Sequence, residues 1–139
     1  MAGSRRRDHP APQRLILDSG AVIALSRGDS RGRAFLARAL ELGTPIEIPV
    51  VVVAETLRGG PRDAPVHRVL KAVGAVPETH ERHGRTAGRL LGTTGSTATV
   101  DALVVAQAVE AGGAQILTGD EQDLRRLSEN HPEVWVQGL

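Results

Sequence analysis

A short aliphatic run, Leu15, Ile16 and Leu17, delivers the carboxylate of Asp18 to a point where the chain turns, and a helix-compatible segment at 21–25 follows. Short aliphatic runs are typical of buried parallel strands, and α/β folds bind their ligands just beyond the carboxyl ends of such strands. The run therefore predicts a central strand with Asp18 at the ligand-binding edge of the sheet.

Strand-like and helix-like segments alternate along the rest of the chain, which predicts a sheet covered by helices. Further strands are expected at 46–48, 74–77, 115–118 and 134–136. Helices are expected at 20–26, 30–42, 50–57, 63–73, 80–91, 100–111 and 120–129, with Ser30 and Thr99 as N-caps of two of them. The β-branched residues of 50–57 would also suit a strand, but Pro49 favours a helical first turn. The predicted fold class is α/β, one domain whose mostly parallel sheet of four to five strands is sandwiched by helices.

The composition limits both the core and the chemistry. Phe35 and Trp135 are the only aromatic residues, so the core of this 139-residue chain has to be aliphatic. The chain has no cysteine, which excludes disulfides, thiolate metal sites and cysteine nucleophiles and fits a reducing cytoplasm. No apolar run approaches the ~20 residues of a membrane span, so no membrane association is expected. The net charge of +1 gives no argument for nucleic acid on its own.

The first thirteen residues differ from the rest. They include three consecutive arginines at 5–7 and two prolines, and they show no apolar periodicity. We therefore expect residues 1–13 to be a disordered basic leader and residues 14–139 to be the folded domain.

Five acidic residues stand out by their surroundings. Asp18 and Asp120 each follow a predicted strand end, and Asp123 lies three residues after Asp120. Glu55 follows four valines and an alanine, and Asp101 is in the first turn of a helix that is apolar nearly all round. Like charges brought together cannot all stay ionised without a cation, and oxygen-only ligands suit Mg²⁺ or Mn²⁺. The set therefore predicts a divalent metal site that serves phosphodiester hydrolysis.

Each acid also has an ordinary structural role open to it. Asp18 could cap the helix that follows it, although Ser19 could take that role instead. Asp101 would gain from the helix dipole, but Thr99 is expected to supply the cap and to leave the acid available. Asp120 could also be an N-cap, with the acid three residues later imitating a capping box.

Four motifs match a known family in order and spacing. They are LILDSGAVIAL around Asp18, VVVAETLRGG around Glu55, TVDALVVAQAV around Asp101, and ILTGDEQDL around Asp120 and Asp123. Over nearly all of residues 15–136 the chain resembles the PIN-domain nucleases, and more closely the VapC-type toxins of bacterial toxin–antitoxin pairs. The resemblance implies a single PIN-like domain with a pocket for Mg²⁺ or Mn²⁺. It also implies an endoribonuclease acting on tRNA, rRNA or mRNA, a homodimer, and a cognate antitoxin.

The resemblance also implies roles for individual residues. Carried over to matching positions, Asp18, Glu55 and Asp101 would be metal ligands, and the fourth ligand would be Asp120 or Asp123, with Asp120 favoured. The implied catalytic acids are Asp18, Glu55, Asp101 and Asp120.

Three further positions lie beside these acids. Ser19 and Thr118 would orient carboxylates or waters next to the metal, although local backbone hydrogen bonding at turns would explain them equally well. Arg58 could contact RNA or the antitoxin, or pair with Glu55 three residues earlier on a helix, and we favour the pair.

Two other functions fit clustered acids. A catalytically silent PIN-like binding module has the same fold, but it has no need for uncompensated charge. A Mg²⁺-binding phospho-acceptor signalling domain also clusters acids at strand ends, but it requires a lysine at a late strand end. The only lysine, Lys71, is predicted to lie in the middle of a helix, which argues against that reading.

Overall fold

The computed structural model describes residues 12–73 and 75–139, so the predicted leader lies almost entirely outside the described residues. In these ranges the chain forms a four-stranded parallel sheet in the order β2-β1-β3-β4. The strands are β1 (Leu15–Leu17), β2 (Ile46–Glu47), β3 (Ala114–Thr118) and β4 (Val134–Gly138). The predicted α/β class and parallel sheet are confirmed.

Seven α-helices of the described residues flank this sheet. They are α1 (Ser19–Ser26), α2 (Ser30–Glu41), α3 (Val50–Thr56), α4 (Ala64–Val73), α5 (Glu81–Thr94), α6 (Thr99–Glu110) and α7 (Gln122–Leu127), and a 3-10 turn at Pro61–Asp63 precedes α4. Helix α1 packs against α2, α3 and α4, while α6 packs against α5 and α7 and covers β3 and β4. No helix in these ranges is both long enough and apolar enough to cross a bilayer.

The core is aliphatic, as the composition predicted. Ile16 and Leu17 of β1 and Ile116 and Leu117 of β3 are completely buried. Because both central strands are covered on both faces, consecutive apolar residues are buried in each of them instead of alternating with polar ones. The aliphatic core thereby fixes the positions at which β1 and β3 end.

The predicted strand at 74–77 is wrong. Its described residues, 75–77, are not in a strand, and the one backbone bond recorded there runs from the Ile48 N–H to the Ala75 carbonyl at 3.0 Å. Pro77 has no N–H with which to extend such pairing into a ladder.

Two predicted helix caps are also wrong. Asp29 rather than Ser30 caps α2, because its Oδ2 accepts from the Gly32 N–H at 2.7 Å. The residue before α6 is Ala98, and Thr99 is the first helical residue, so no side chain caps this helix.

Two helix lengths differ from expectation. Helix α5 continues three residues past its predicted end to Thr94, and it stops at Gly95, whose φ of 71° leaves the helical region. Helix α7 spans only Gln122–Leu127 instead of 120–129.

Candidate active site

The candidate site lies where two neighbouring strands end. Asp18 directly follows β1, Asp120 follows β3 by two residues, and the Asp18 N–H donates to the Leu117 carbonyl at 3.1 Å. Within the sheet, β2 lies next to β1 on one side, and β3, which the chain enters later, lies next to β1 on the other side. Such a reversal of strand order opens a crevice at the carboxyl ends of the strands, where open α/β sheets bind ligands.

Asp18 is held from two sides. Its Oδ1 accepts from the Ala21 N–H at 3.0 Å, so Asp18 itself caps α1 and the alternative with Ser19 as the cap is wrong. Its Oδ2 accepts from the Thr118 hydroxyl at 2.5 Å. Burial raises the pKa of Asp18 although these hydrogen bonds lower it. Carboxylate oxygens can each accept more than one bond, so capping does not exclude metal binding.

Glu55 lies on the last turn of α3 and is exposed, in contrast to the apolar surroundings that the sequence suggested. The Ser19 hydroxyl donates to its Oε1. The predicted pair with Arg58 is wrong, because the Arg58 guanidinium donates to the carbonyls of Ala54 at 3.1 Å and Leu57 at 2.8 Å. Arg58 therefore caps the carboxyl end of α3, and Glu55 has no cationic partner among the residues that the structure describes.

Asp101 interacts electrostatically with all four of the other acids. It is half-buried in the first turn of α6, and no donor within the described ranges forms a hydrogen bond with its carboxylate. Burial is the main cause that raises its pKa from 3.8 to about 6, followed by repulsion from Asp123, Asp18, Glu55 and Asp120. The fold thus brings all five sequence-predicted acids into one electrostatic group.

Asp120 and Asp123 are exposed at the start of α7. The Gln122 N–H donates to Asp120 Oδ1 at 3.3 Å, but the N-cap position belongs to Glu121 and no side chain caps this helix. The capping box considered as an alternative is therefore not formed, and both carboxylates are available at the site.

The charge and the donor atoms of the five acids decide whether a divalent metal fits this site. Across residues 12–73 and 75–139, none of them lies within ion-pair distance of an arginine, lysine or histidine. As placed, no three acidic or histidine side chains in these ranges enclose a position for an ion. The donors are all oxygens, as Mg²⁺ and Mn²⁺ prefer, and their mutual repulsion leaves a negative field without a counter-charge. The residues fit a divalent cation in charge and chemistry, provided that the exposed side chains turn inward to meet it.

Thr118 joins the two strand ends. Besides its bond to Asp18, its Oγ1 accepts from the Asp120 N–H at 3.0 Å and lies 2.9 Å from the Asp120 carbonyl. Thr118 is completely buried. One hydroxyl therefore fixes the Asp18 carboxylate relative to the backbone of Asp120.

Replacing Thr118 by valine removes this hydroxyl but keeps the shape of the side chain. We expect unfolding free energy to fall by about 1–3 kcal/mol, because a buried carboxylate oxygen and a backbone N–H lose their partner. The pKa of Asp18 should rise further, since the hydrogen bond from Thr118 lowers it. Urea denaturation measures the loss, and Thr118→Ser is the matched control because it retains the hydroxyl. A larger loss in Thr118→Ser than in Thr118→Val would assign the role of Thr118 to packing instead, because serine lacks the methyl group that valine keeps.

The sequence interpretation missed two features of this site. Gly20 and Gly119 pack against each other at the ends of β1 and β3, so closely that a Cβ on Gly20 would lie 2.7 Å from the Gly119 nitrogen. The signal available was a glycine within two residues of each of the acids Asp18 and Asp120.

Asp63 is the second missed residue. It accepts from the N–H groups of Arg58 at 2.9 Å and Gly59 at 2.7 Å, and these bonds lower its pKa. It thereby holds the turn that follows α3 and Glu55.

The fold and the acidic group define a class of protein. The chain belongs to the PIN-domain family, whose model matches residues 15–130. Proteins with this domain are typically nucleases that use a divalent metal ion. No curated protein sequence matches the chain.

Three solved bacterial structures with a similar fold illustrate the comparison. A chain of VapBC2 from Rickettsia felis, bound to a DNA fragment from its promoter, has a TM-score of 0.73 and 13% identity, over 91% of this chain and 98% of that chain. A toxin–antitoxin complex from Klebsiella pneumoniae gives a TM-score of 0.64 and 18% identity, over 86% and 94%. FitAcB from Neisseria gonorrhoeae gives a TM-score of 0.63 and 19% identity, over 88% of this chain and 95% of that chain. At these identities the similarity establishes a shared fold.

Proposed function

We propose that this chain is a metal-dependent endoribonuclease and the toxin of a toxin–antitoxin pair. The observation that carries the proposal is the group of five carboxylates, which have no cationic partner among the described residues. Burial, followed by repulsion from the other four acids, raises the pKa of Asp101 in this group to about 6. A fold seldom keeps such repulsion unless a ligand relieves it, and perturbed pKa values cluster at functional sites.

The chain's own residues divide the work at this site. Asp18, Asp101 and Asp120 hold the cation, with Asp123 as the alternative to Asp120, and Glu55 is the remaining catalytic acid at the rim. When bound, Mg²⁺ or Mn²⁺ lowers the pKa of an attacking water and neutralises charge on the scissile phosphodiester.

Two hydroxyls keep the acids in place for this work. Thr118 positions the Asp18 carboxylate, and Ser19 positions that of Glu55. Because both hydroxyls donate, they stabilise the ionised carboxylates that a cation requires.

The proposed partners follow from the neighbours in fold. The similar chains come from toxin–antitoxin complexes, which supports a cognate antitoxin for this chain. RNA as the substrate and a cytoplasmic location belong to the proposal through the family resemblance. A homodimer remains part of the proposal. A single observation of the described surface fits RNA, namely that several exposed arginines, including Arg31, Arg62 and Arg68, lie in no ion pair there.

Cleavage of a mixed RNA pool tests the nuclease. We expect cutting with Mg²⁺ or Mn²⁺, none with EDTA, and loss to background in Asp18→Asn. Asparagine caps helices as well as aspartate does, so α1 should remain intact in this variant. Asp29→Asn is the matched control, because Asp29 is also a helix N-cap but lies outside the acidic group.

Three outcomes would contradict the proposal or narrow it. No cutting by the folded, antitoxin-free chain under any metal would favour a silent binding module. Equal cutting by wild type and Asp18→Asn would assign the activity to a contaminant. If the chain cuts RNA but does not arrest growth when it is expressed without an antitoxin, the nuclease proposal stands and the toxin proposal is rejected.

A further inference from the structure

An open depression of about 440 Å³ adjoins the acidic group on the β4 side. It lies between the first turn of α2, the β3–α7 connection and the end of β4. Its lining includes Arg31, Gly119, Asp120, Glu121, Gln137 and Gly138. A molecule that occupies the acidic site at Asp120 therefore has a continuous polar path past Arg31.

Arg31 is the cation of this depression. It is exposed, and within the described ranges it has neither an ion pair nor a hydrogen bond. The neighbouring Glu121 is already engaged, since its Oε2 accepts from the Arg125 guanidinium at 3.0 Å. The guanidinium of Arg31 is thus free to bind an anion.

The charge of Arg31 is placed unfavourably for its own helix. It is the second residue of α2, and a cation in the first turn opposes the helix dipole. Since Arg31 also has no carboxylate partner among the described residues, an anionic ligand would offset this unfavourable placement. The guanidinium fork matches the oxygens of a phosphate group in two parallel hydrogen bonds.

We propose that Arg31 binds a backbone phosphate of the RNA strand next to the phosphodiester that is cut. This proposal rests on the proposed nuclease function. The strand lies with one phosphate among the acids and their cation, and its continuation follows the depression to Arg31. Arg31 is a substrate-positioning residue, since it contacts RNA away from the reacting atoms.

The same helix supplies a matched control. Arg38 lies seven residues further along α2, about 10 Å away by the helical rise. It lines a different depression, together with Leu15 and Thr44, near the amino end of β1. Its contact with Glu41 at 3.7 Å is exposed and contributes little to stability. Arg31→Gln and Arg38→Gln therefore remove the same charge at opposite ends of the sheet.

Binding is measured with uncut RNA. A short fluorescein-labelled single-stranded RNA of mixed sequence is titrated with the Asp101→Asn chain, alone and combined with either arginine variant, from about 50 to 200 mM salt. We expect Arg31→Gln to raise Kd about fivefold at low salt and to reduce the slope of log Kd against log salt by about 0.7. Arg38→Gln should change neither quantity, and Arg31→Lys should restore the slope but only part of the affinity.

Cleavage kinetics separate the two proposals. In the otherwise wild-type chain, Arg31→Gln should raise KM and leave kcat nearly unchanged, because the lost contact is made equally in the bound and transition states. If the wild type cuts RNA but Arg31→Gln matches Arg38→Gln in Kd, salt slope and KM, the role of Arg31 is rejected and the nuclease stands. If the wild type does not cut RNA but Arg31→Gln alone weakens binding, the phosphate contact stands and the nuclease is rejected.

Discussion

In metal-free buffer at pH 7, we expect the Asp101→Asn chain to unfold at a higher temperature than the wild type, although it no longer cleaves RNA. The Asp101 carboxylate is half-buried and is repelled by the other four acids. Burial, as the larger cause, and this repulsion together raise its pKa from 3.8 to about 6. Asparagine has nearly the same shape and no charge. Removing the charge therefore stabilises the metal-free fold while it removes a proposed metal ligand.

The stability difference should depend on pH with a defined sign. Below the unfolded pKa of 3.8 the residue is protonated in both states, and the two chains should differ little. As pH rises toward about 6, the unfolded chain releases its proton first, so the wild type loses stability relative to the variant until the difference levels off. The full shift corresponds to ~3 kcal/mol, and solvent screening of this half-exposed group leaves about 1–2 kcal/mol. Thermal unfolding of both chains from pH 4 to pH 8 measures the difference.

Mg²⁺ should reverse the order of the two chains. A ligand that binds only the folded state stabilises it by mass action, by about 2.7 kcal/mol at a hundred times Kd. The wild type should gain this stabilisation and Asp101→Asn should gain little. If Asp101→Asn is the less stable chain at both pH 4 and pH 7 without metal, the carboxylate makes a stabilising contact and the repulsion argument fails.

Asp63 provides the control of opposite sign. Hydrogen bonds from the Arg58 and Gly59 N–H groups lower its pKa, so its ionised form stabilises the fold. That contribution is present above the unfolded pKa of 3.8 and is lost as pH falls through the lower folded value. Asp63→Asn should therefore lower the unfolding temperature at pH 7, where Asp101→Asn raises it.

The central elements of the fold were predictable because their sequences permit one reading. The strand at 15–17 is fully apolar, the strand at 115–118 is centred on Ile116 and Leu117, and the structure has both. Residues 50–57 were ambiguous by composition, and the position of Pro49 decided correctly for a helix. The strand at 74–77 failed because an edge strand depends on its neighbour, and β2 offers only two residues for pairing.

The acids of the site were predictable from their places beside apolar runs, but their exposure was not. A run of four valines before Glu55 suggested burial, yet Glu55 points away from the core because α3 is covered on one side only. The hydrogen-bond partners of these acids were even harder to predict from the sequence. The bonds of Thr118 to Asp18 and of Ser19 to Glu55 join residues 100 and 36 positions apart, so local pattern carries no signal for them.

We expect Gly20→Ala to separate the two strand ends that carry the acids. A Cβ at this position would lie 2.7 Å from the nitrogen and 2.9 Å from the Cα of Gly119, and backbone atoms at such distances have to move apart. The φ of Gly20 is not positive, so the strain comes from this contact and not from backbone conformation. We expect unfolding free energy to fall by about 2–3 kcal/mol. RNA cleavage should fall by about 10- to 100-fold, because displacing catalytic groups by an ångström has an effect of this order.

Alanine variants of two other glycines show whether the contact between Gly20 and Gly119 causes these losses. A Cβ on Gly88 of α5 meets nothing within 4 Å, so Gly88→Ala should stabilise the chain by about 0.5–1 kcal/mol and leave cleavage unchanged. A Cβ on Gly119 would lie 3.3 Å from the Cα of Gly20, a milder contact, and its alanine variant should be affected less than Gly20→Ala. Urea denaturation and cleavage rates of all three variants give the order.

If Gly20→Ala is as stable and as active as the wild type, the close approach of β1 and β3 does not position Asp18 against Asp120. If it loses activity while keeping its stability, the approach serves the geometry of the acids more than the packing of the fold.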